Sequence, residues 1–301
     1  IERKATMIYT IKNDRLSVNV SDFKAELHSI VSVKNGREYL WQGDEQFWRD
    51  RAIIPFPVCC RLTDNKYIYN GKTYEMRPHG FLQASTPAVV EKTDDSITLR
   101  LESNDELKAI YPFDFTLDVK YTLVDNAVKH EITVYNNGDG MMYFSTGGHP
   151  GINIPFCGGK FEDYYIEFPE AGDVKMVYLT DERFRTGEYV DFPLRDGKYL
   201  DMVHSLFDRD AIFLVGTGSK AILRNRNNAN EAVIVDHSAS NCPYLGMWHK
   251  PLTEAPYCCI EPFFGTPSLD GVVDDIAKKD DIVALSAGES FRLEFDIIIQ
   301  D

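Results

Sequence analysis

Residues 113–123 read FDFTLDVKYTL, a stretch in which apolar and polar side chains alternate strictly. Successive side chains of a β-strand point to opposite faces, so this period of two predicts a long strand with one buried face. The same alternation recurs at 16–20, 97–101 and 291–297, and in a shorter form at 132–134. Because such runs are spread over the whole chain, the sequence predicts an all-β fold.

Turn signals separate these runs. Asn70 and Gly71 lie between two aromatic and β-branched runs in 67–76, and 136–140 reads NNGDG. Asn-Gly is typical of a type I′ hairpin turn, because both central residues of that turn have positive φ. Many strands joined by short polar turns favour a sandwich or barrel over β-α-β units.

Little helix is predicted, and no boundary divides the chain. Residues 40–50 (LWQGDEQFWRD) and 270–280 (DGVVDDIAKKD) are each expected to form one or two helical turns. Since neither a repeat nor a linker-like stretch occurs, 7–301 is expected to form one domain. Met7 resembles a natural start, so 1–6 are expected to be extra residues outside the fold.

The composition argues against several classes of partner. The 301 residues carry a formal net charge of −15, so neither a nucleic acid nor an anionic membrane is an expected partner. No apolar run is long enough to span a membrane, and the N-terminal stretch lacks the apolar segment of a signal peptide. The six cysteines fit neither a CxxC metal site nor a simple disulfide framework. Buried thiols in a reducing, cytoplasmic location are the expectation.

Familiar cofactor and nucleophile motifs do not occur. The sequence contains neither GxGxxG nor a P-loop, and neither HExxH nor GxSxG. No cofactor and no metal is therefore expected.

Two segments hold candidate acid–base groups. STGGHPGIN (145–153) flanks His149 with glycines, which permit close approach of a ligand to the backbone. This histidine is either a functional group in a loop after a strand or a polar residue in an ordinary turn. In CCIEPFFGTP, Glu261 directly follows the apolar run 257–260, which is predicted to be a buried strand. A partly desolvated carboxylate at its end would be a good base, whereas a solvated or arginine-paired one would be structural.

Three further side chains stand at turn-like places. His79 precedes a glycine in RPHGF, and Arg61 ends the hydrophobic run PFPVCCRL. The arginine is either a buried ion-pair partner or a ligand-binding group. Trp248, in YLGMWHKP (244–251), is either a core residue or a surface on which a sugar ring stacks.

Taken in order, these segments resemble the galactose mutarotase-like (aldose 1-epimerase) superfamily, and most closely its bacterial LacX-type branch. AELHSI (25–30), the arginine segment, HGF, GGHPGIN, the tryptophan segment and EPFFG follow one another across nearly the whole chain. The resemblance implies a large antiparallel β-supersandwich with few short helices and an open cleft that binds a pyranose.

The resemblance also implies roles for individual residues. His149 and Glu261 match the family's catalytic histidine and glutamate. The residues implied in sugar binding are Arg61, His79, Trp248 and, in LFDRDAIF, Asp210. Galactose mutarotases have asparagine before the arginine, whereas Cys60 precedes it here, which leaves the identity of the sugar open.

The implied activity is that of an aldose 1-epimerase (mutarotase), an isomerase of carbohydrate metabolism. It interconverts the α and β anomers of a free aldohexose by acid–base ring opening, and a monomer or homodimer is expected. One alternative is a hexose-6-phosphate 1-epimerase, for which Arg51, Arg77 and Lys250 would supply a cationic phosphate pocket. Another is a non-catalytic carbohydrate-binding protein of the same fold. The geometry is expected to distinguish the enzyme from the binding protein, since the enzyme should hold His149 and Glu261 face to face across a sugar-sized gap.

Overall fold

Strands dominate the computed structural model, which describes residues 6–301 and, at Ala229, the backbone alone. Of the extra residues expected at 1–6, the first five lie outside the described part. In chain order the strands are β1 (Ile8–Lys12), β2 (Leu16–Ser21), β3 (Leu27–Ser32), β4 (Ala52–Ile53), β5 (Lys66–Tyr69), β6 (Lys72–Glu75), β7 (Ala88–Lys92), β8 (Ser96–Glu102), β9 (Phe115–Val124), β10 (Ala127–Asn136), β11 (Met142–Phe144), β12 (Thr146–Gly147), β13 (His149–Asn153), β14 (Tyr164–Glu167), β15 (Lys175–Leu179), β16 (Arg185–Asp191), β17 (Tyr199–Asp201), β18 (Ile212–Val215), β19 (Lys220–Asn225), β20 (Asn228–Asp236), β21 (Tyr244–Trp248), β22 (Tyr257–Phe264), β23 (Val283–Leu285) and β24 (Ser290–Gln300).

Helices are short and few. Among the described residues the only α-helix is α1 (Asp105–Ile110). Single 3-10 turns lie at Phe23–Ala25, Thr63–Asn65, Leu82–Ala84, Phe161–Asp163 and His204–Phe207. No helix in this part of the chain is long and apolar enough to cross a membrane.

Two large antiparallel sheets form the body of the fold. One has nine strands in the order β17-β14-β19-β20-β24-β10-β9-β8-β7. The other has eight, in the order β16-β15-β18-β21-β22-β13-β4, with β12 also paired to β22. A three-stranded sheet β1-β2-β3, the hairpin β5-β6 and the pair β11-β23 complete the structure. The predicted antiparallel β-supersandwich is confirmed.

The alternating segments form strands as predicted. Most of the stretch 113–123 lies in β9, which begins at Phe115, and from Leu117 onward its side chains alternate between the core and a more exposed face. The Asn-Gly prediction is also confirmed, because Tyr69 pairs with Lys72 and the two residues between them have φ of 49° and 75°. These are the positive φ angles that a type I′ turn demands.

Both predicted helices are wrong. In 40–50 the chain reverses instead, with a bridge between Asp44 and Trp48. Gly43 has φ of +75°, and a Cβ there would lie 2.5 Å from the Arg49 carbonyl oxygen, so this segment folds back too tightly for a helix. Residues 270–280 likewise form turns.

The helix that does form, α1, was not predicted. Its N-cap is Asn104, whose side chain accepts a hydrogen bond from the backbone N–H of Leu107 at 2.9 Å. Asp105 and Glu106 in the first turn and Lys108 in the last turn suit the helix dipole.

The core lies between the two large sheets, and strand β22 shows how it is built. Cys258 and Ile260 point into the main core, whereas Cys259 and Glu261 point to the opposite face. We call that opposite side of the eight-stranded sheet the cleft face. One continuous core joins residues from β2 to β24, which supports the proposal that 7–301 form a single domain. The expected thiols are confirmed, since every cysteine is free and all but Cys157 are buried.

Glu26, from the AELHSI segment, holds strand β4 in place through hydrogen bonds. Its buried Oε1 accepts hydrogen bonds from the backbone N–H groups of Arg51 and Ala52, at 2.6 and 3.0 Å. Burial alone would raise the pKa of Glu26, but its hydrogen bonds with His28 and the two amides lower the pKa on balance. Since β4 pairs with β13 through Ile53, this carboxylate supports the edge of the cleft-bearing sheet.

Replacing Glu26 by alanine is expected to lower the free energy of unfolding by about 3 kcal/mol at neutral pH, because each buried N–H left without a partner costs roughly 1–3 kcal/mol. A carboxyl whose pKa is lowered by folding stabilises the protein above its ordinary pKa of 4.5, and this stabilisation is lost as the pH falls through the folded value. Urea unfolding of wild type and Glu26→Ala should therefore show a difference in unfolding free energy that becomes smaller as the pH falls below 4.5. The exposed Glu91→Ala variant is the control, and an equal effect of the two substitutions would contradict the assignment.

Candidate active site

A cleft of about 350 Å³ opens on the cleft face of the eight-stranded sheet. This volume suits a small-molecule site. All six side chains singled out in the sequence line it, together with other polar and aromatic groups. The lining residues are Trp48, Asp50, Ile53, Cys60, Arg61, Pro78, His79, Gln83, His149, Leu179, Arg183, Asp210, Ala211, Phe213, Trp248, Pro251, Glu261 and Pro267.

The strand register brings His149 and Glu261 together. Gly147 pairs with Phe263 and Gly151 with Cys259, and this constant register places His149 directly opposite Glu261. Cross-strand neighbours in an antiparallel sheet share one face, so both side chains project from the cleft face. His149 is thus the first residue of β13 and not a turn residue, and Glu261 lies within β22 and not at its end.

The two side chains are in direct contact at the cleft floor. His149 Nε2 and Glu261 Oε1 lie 3.2 Å apart, and both side chains are buried. The sugar-sized gap expected between them is therefore wrong. The contact is a close approach without good hydrogen-bond direction, and among the described residues neither Glu261 Oε1 nor His149 Nδ1 has a hydrogen-bond partner.

Burial shifts both groups toward their neutral forms. It raises the pKa of Glu261 well above its ordinary value, and the negative charge of Asp210 raises it further. Burial lowers the pKa of His149 well below its ordinary value, and neighbouring His79 lowers it further. Both shifts favour a protonated carboxyl beside a neutral imidazole. Such a pair in a cleft is typical of a site for proton transfer.

His79 stands on the wall beside this pair. Its ring centroid lies 5.4 Å from that of His149. The backbone N–H of Cys60 donates to His79 Nδ1 at 3.2 Å, so the neutral ring carries its proton on Nε2. Burial and the positive charges of Arg61 and Arg77 lower the pKa of His79 to about 4. The ring is therefore a neutral N–H donor.

Asp210 organises the opposite wall. Its Oδ2 lies 3.2 Å from Arg61 Nη2 and 3.5 Å from Arg183 Nε. Its Oδ1 accepts a hydrogen bond from Trp248 Nε1 at 2.9 Å. One carboxylate thus holds two guanidinium groups and an indole at the cleft. Arg61 is ion-paired and also lines the cleft, so both interpretations of this residue stay open.

Aromatic rings enclose His149. Trp48 and Trp248 have ring centroids 5.0 and 5.8 Å from the imidazole, and all three tryptophans of the chain meet in the cluster around Tyr257. Trp248, at the end of β21, fits both interpretations given above, since it packs in this cluster and also lines the cleft.

Trp48 and Arg183 line the cleft but were not predicted from the sequence as site residues. Trp48 lay in a segment wrongly predicted as helix, although a cluster of rare tryptophans in a polar loop was a usable signal. Arg183 lies in a polar turn between β15 and β16, and no local pattern distinguishes it from other surface arginines.

The glycines beside His149 serve packing. A Cβ on Gly147 would lie 2.3 Å from the Phe263 ring, and one on Gly148 would lie 2.2 Å from the Phe295 ring. Neither glycine lines the cleft, so the expectation that they open the backbone to a ligand is wrong. They let β12 and β13 lie close to β22 and β24.

Comparison with known proteins gives a consistent result. The family model described as aldose 1-epimerase matches residues 7–297. The plasmid-encoded protein LacX of Lactococcus lactis subsp. lactis is 29% identical over 306 residues, which cover 97% of this chain and 99% of that protein.

Solved structures agree with this match. A galactose mutarotase related enzyme from Lactobacillus acidophilus is 31% identical, with a TM-score of 0.91 and 98% coverage of both chains. A galactose mutarotase-like protein from Lactobacillus casei is 30% identical, also with a TM-score of 0.91. The match covers 97% of this chain and 100% of that protein. A galactose mutarotase-like protein from Clostridium acetobutylicum shares the fold at 16% identity and a TM-score of 0.80.

Proposed function

The chain belongs to the aldose 1-epimerase family, and we propose that it catalyses mutarotation, the interconversion of the α and β anomers of a free aldohexose. The observation that carries the proposal is the contact of one carboxyl with one imidazole at the floor of a sugar-sized cleft. Ring opening needs one group to take a proton from the anomeric hydroxyl and another to protonate the ring oxygen. Both oxygens are bonded to the same carbon, so an adjacent acid and base suit the reaction better than a separated pair.

The proposed catalytic residues are Glu261 and His149. Transfer of the shared proton from the carboxyl to the imidazole gives a carboxylate and an imidazolium without changing the net charge. The carboxylate then accepts the anomeric hydroxyl proton while the imidazolium protonates the ring oxygen, and the C1–O5 bond breaks to give the open aldehyde. After rotation about C1–C2 the ring recloses with the two roles reversed, which restores both groups. Positioned acid–base groups contribute roughly 10²–10⁴-fold.

The proposed sugar-binding residues are those of the two walls. His79 offers its Nε2–H, and Arg61 is held by Asp210 with its guanidinium partly exposed. Trp248 and Trp48 offer ring faces on which the apolar side of a pyranose packs. Asp210 already accepts from Trp248 and pairs with two arginines, so we propose that it positions these donors as well as meeting the sugar.

Polarimetry or NMR of freshly dissolved α-glucose and α-galactose tests the proposal. A rate above that of buffer for at least one free sugar is expected, and rates equal to buffer on every sugar would reject the enzyme in favour of a non-catalytic carbohydrate-binding protein. The same assay on the 6-phosphates separates the phosphorylated alternative.

The phosphate alternative has less support from the lining of the cleft. Arg51, Arg77 and Lys250 do not line it, and Lys250 Nζ instead donates to the Gln46 carbonyl oxygen at 2.7 Å. The arginines that do line the cleft are paired with Asp210. Free hexoses are therefore the proposed substrates.

A cytoplasmic location and a monomeric or homodimeric state stay predictions of the sequence.

Replacing Gly246 by alanine is expected to lower kcat roughly 10²-fold, because a misplacement of about 1 Å can cost that much. Gly246 pairs with Glu261 across β21 and β22, and a Cβ there would lie 2.8 Å from Glu261 Oε2. The carboxyl would have to move away from the cleft floor. Gly140→Ala is the matched control, since its Cβ would meet nothing within 4 Å. Equal activity of the two variants at equal melting temperature would contradict this role of Gly246.

A further inference from the structure

A third chemical group, the buried thiol of Cys259, lies behind the cleft lining and beside the proposed catalytic pair. Cys259 precedes Glu261 by two residues in β22, so both side chains project from the same face. Cys259 pairs with Gly151 on one side and with Trp248 on the other, and its thiol is buried under the tryptophan cluster. One donor atom each of His149, Cys259 and Glu261 lies within 4.8 Å of the others.

These three groups form a concentrated set of metal ligands. All three residues are buried, with 6%, 0% and 1% of their surface exposed for His149, Cys259 and Glu261. Independently of their spacing, His149 Nδ1 and Glu261 Oε1 are buried polar atoms with no hydrogen-bond partner among the described residues. Buried polar atoms are normally satisfied, so Glu261 Oε1, which faces His149 Nε2, is a candidate to meet a ligand.

The donor chemistry selects the ion. Imidazole nitrogen, thiolate sulfur and carboxylate oxygen are the ligands that Zn²⁺ takes, at about 2.0–2.3 Å. Three protein ligands leave the fourth tetrahedral position open, as in zinc sites that exchange water or substrate. Two of the three ligands, His149 and Glu261, line the cleft, so the ion would be reached from there. To surround one ion, the donor atoms need to approach by roughly 1 Å, which side-chain rotation can supply.

We propose that His149, Cys259 and Glu261 bind Zn²⁺ reversibly and that the bound ion inhibits the enzyme by competing with the sugar. On binding, the thiol and the carboxyl each lose a proton to solvent, and the two negative charges balance the ion. His149 contributes the lone pair of a neutral ring. The ion then occupies the groups that would move protons, so a sugar and Zn²⁺ exclude each other. The inhibition, though not the binding, rests on the proposed function.

Adjacent cysteines provide a matched pair of variants. Cys259→Ala removes the proposed ligand, whereas Cys258→Ala changes a thiol that is equally buried but points into the core. Equilibrium dialysis with Zn²⁺ and absorption titration with Co²⁺, which gives a thiolate charge-transfer band, measure binding without any assay of activity. Cys259→Ser, which keeps the side-chain volume, replaces Cys259→Ala if the latter has a lowered melting temperature.

Wild type and Cys258→Ala are expected to bind one Zn²⁺ per chain and to show the thiolate band. Cys259→Ala is expected to lose the band and to bind at least about tenfold more weakly, since changes even at outer-shell partners cost 10–100-fold in metal affinity. A band that persists in Cys259→Ala, or the absence of saturable binding in wild type, would overturn the proposal.

Competition separates this proposal from the proposed function. An active sugar is expected to raise the apparent Kd for Zn²⁺, and Zn²⁺ is expected to raise KM without changing kcat. Noncompetitive inhibition would overturn the proposed competition. If Zn²⁺ binds through Cys259 while the metal-free protein turns over no sugar, the metal site stands and the mutarotase proposal fails.

Discussion

Replacing Glu261 by glutamine is expected to lower kcat for mutarotation by roughly 10²–10⁴-fold, which is the usual contribution of a positioned acid or base. The amide keeps the size of the carboxyl but cannot exchange a proton with His149 or the sugar. Folding is expected to be unaffected, because burial raises the pKa of Glu261 and favours the neutral form that glutamine imitates. NMR exchange between the anomers at saturating sugar measures the effect directly.

Glu254→Gln supplies the control for this experiment. Glu254 is exposed in the turn before β22, so its replacement is expected to leave kcat unchanged. A Glu261→Gln protein that keeps its melting temperature and retains kcat within tenfold of wild type would reject Glu261 as the base.

Replacing His149 by asparagine is the second change with a large expected effect, again roughly 10²–10⁴-fold in kcat. Asparagine can donate a hydrogen bond toward Glu261 but cannot carry the proton that the ring oxygen requires. Because the two residues handle one proton as a unit, the losses are expected not to multiply. The Glu261→Gln/His149→Asn double variant should be only a few-fold slower than the slower single variant.

His237→Asn is a suitable comparison, since His237 is also buried but does not line the cleft. Full multiplication of the two single losses in the double variant would show that Glu261 and His149 act independently. That result would contradict the shared-proton mechanism while leaving each residue important.

The sequence predicted the sheets better than the connections. Alternation at 113–123 and 291–297 predicts strands with one buried face. The register between neighbouring strands depends on long-range pairing, which no local pattern contains. The helix predicted at 40–50 failed because apolar spacing alone does not reveal that Gly43 must adopt φ of +75°. The helix α1 was missed because six residues are too few for a periodic pattern.

The candidate site was predicted in its members but not in its geometry. His149 and Glu261 were identified from segments that are more than a hundred residues apart, yet only the register between β13 and β22 shows that they touch. Arg183 was not predicted, because it belongs to the site through its ion pair with Asp210, a residue in another loop. Contacts of this kind depend on tertiary structure, so sequence reasoning reaches them only through resemblance.

The proposed chemistry and the proposed recognition reside in different parts of the fold, and this separation affects how the protein can diversify. His149 and Glu261 stand on adjacent strands of a sheet that packs on the core. His79, Arg183 and Asp210 instead lie in loops, with φ of 59°, 71° and 105°. Loop sequences can change without altering strand register. Substrate preference is therefore open to selection or laboratory evolution at the loops, whereas the proton-transfer pair is inherited with the sheet.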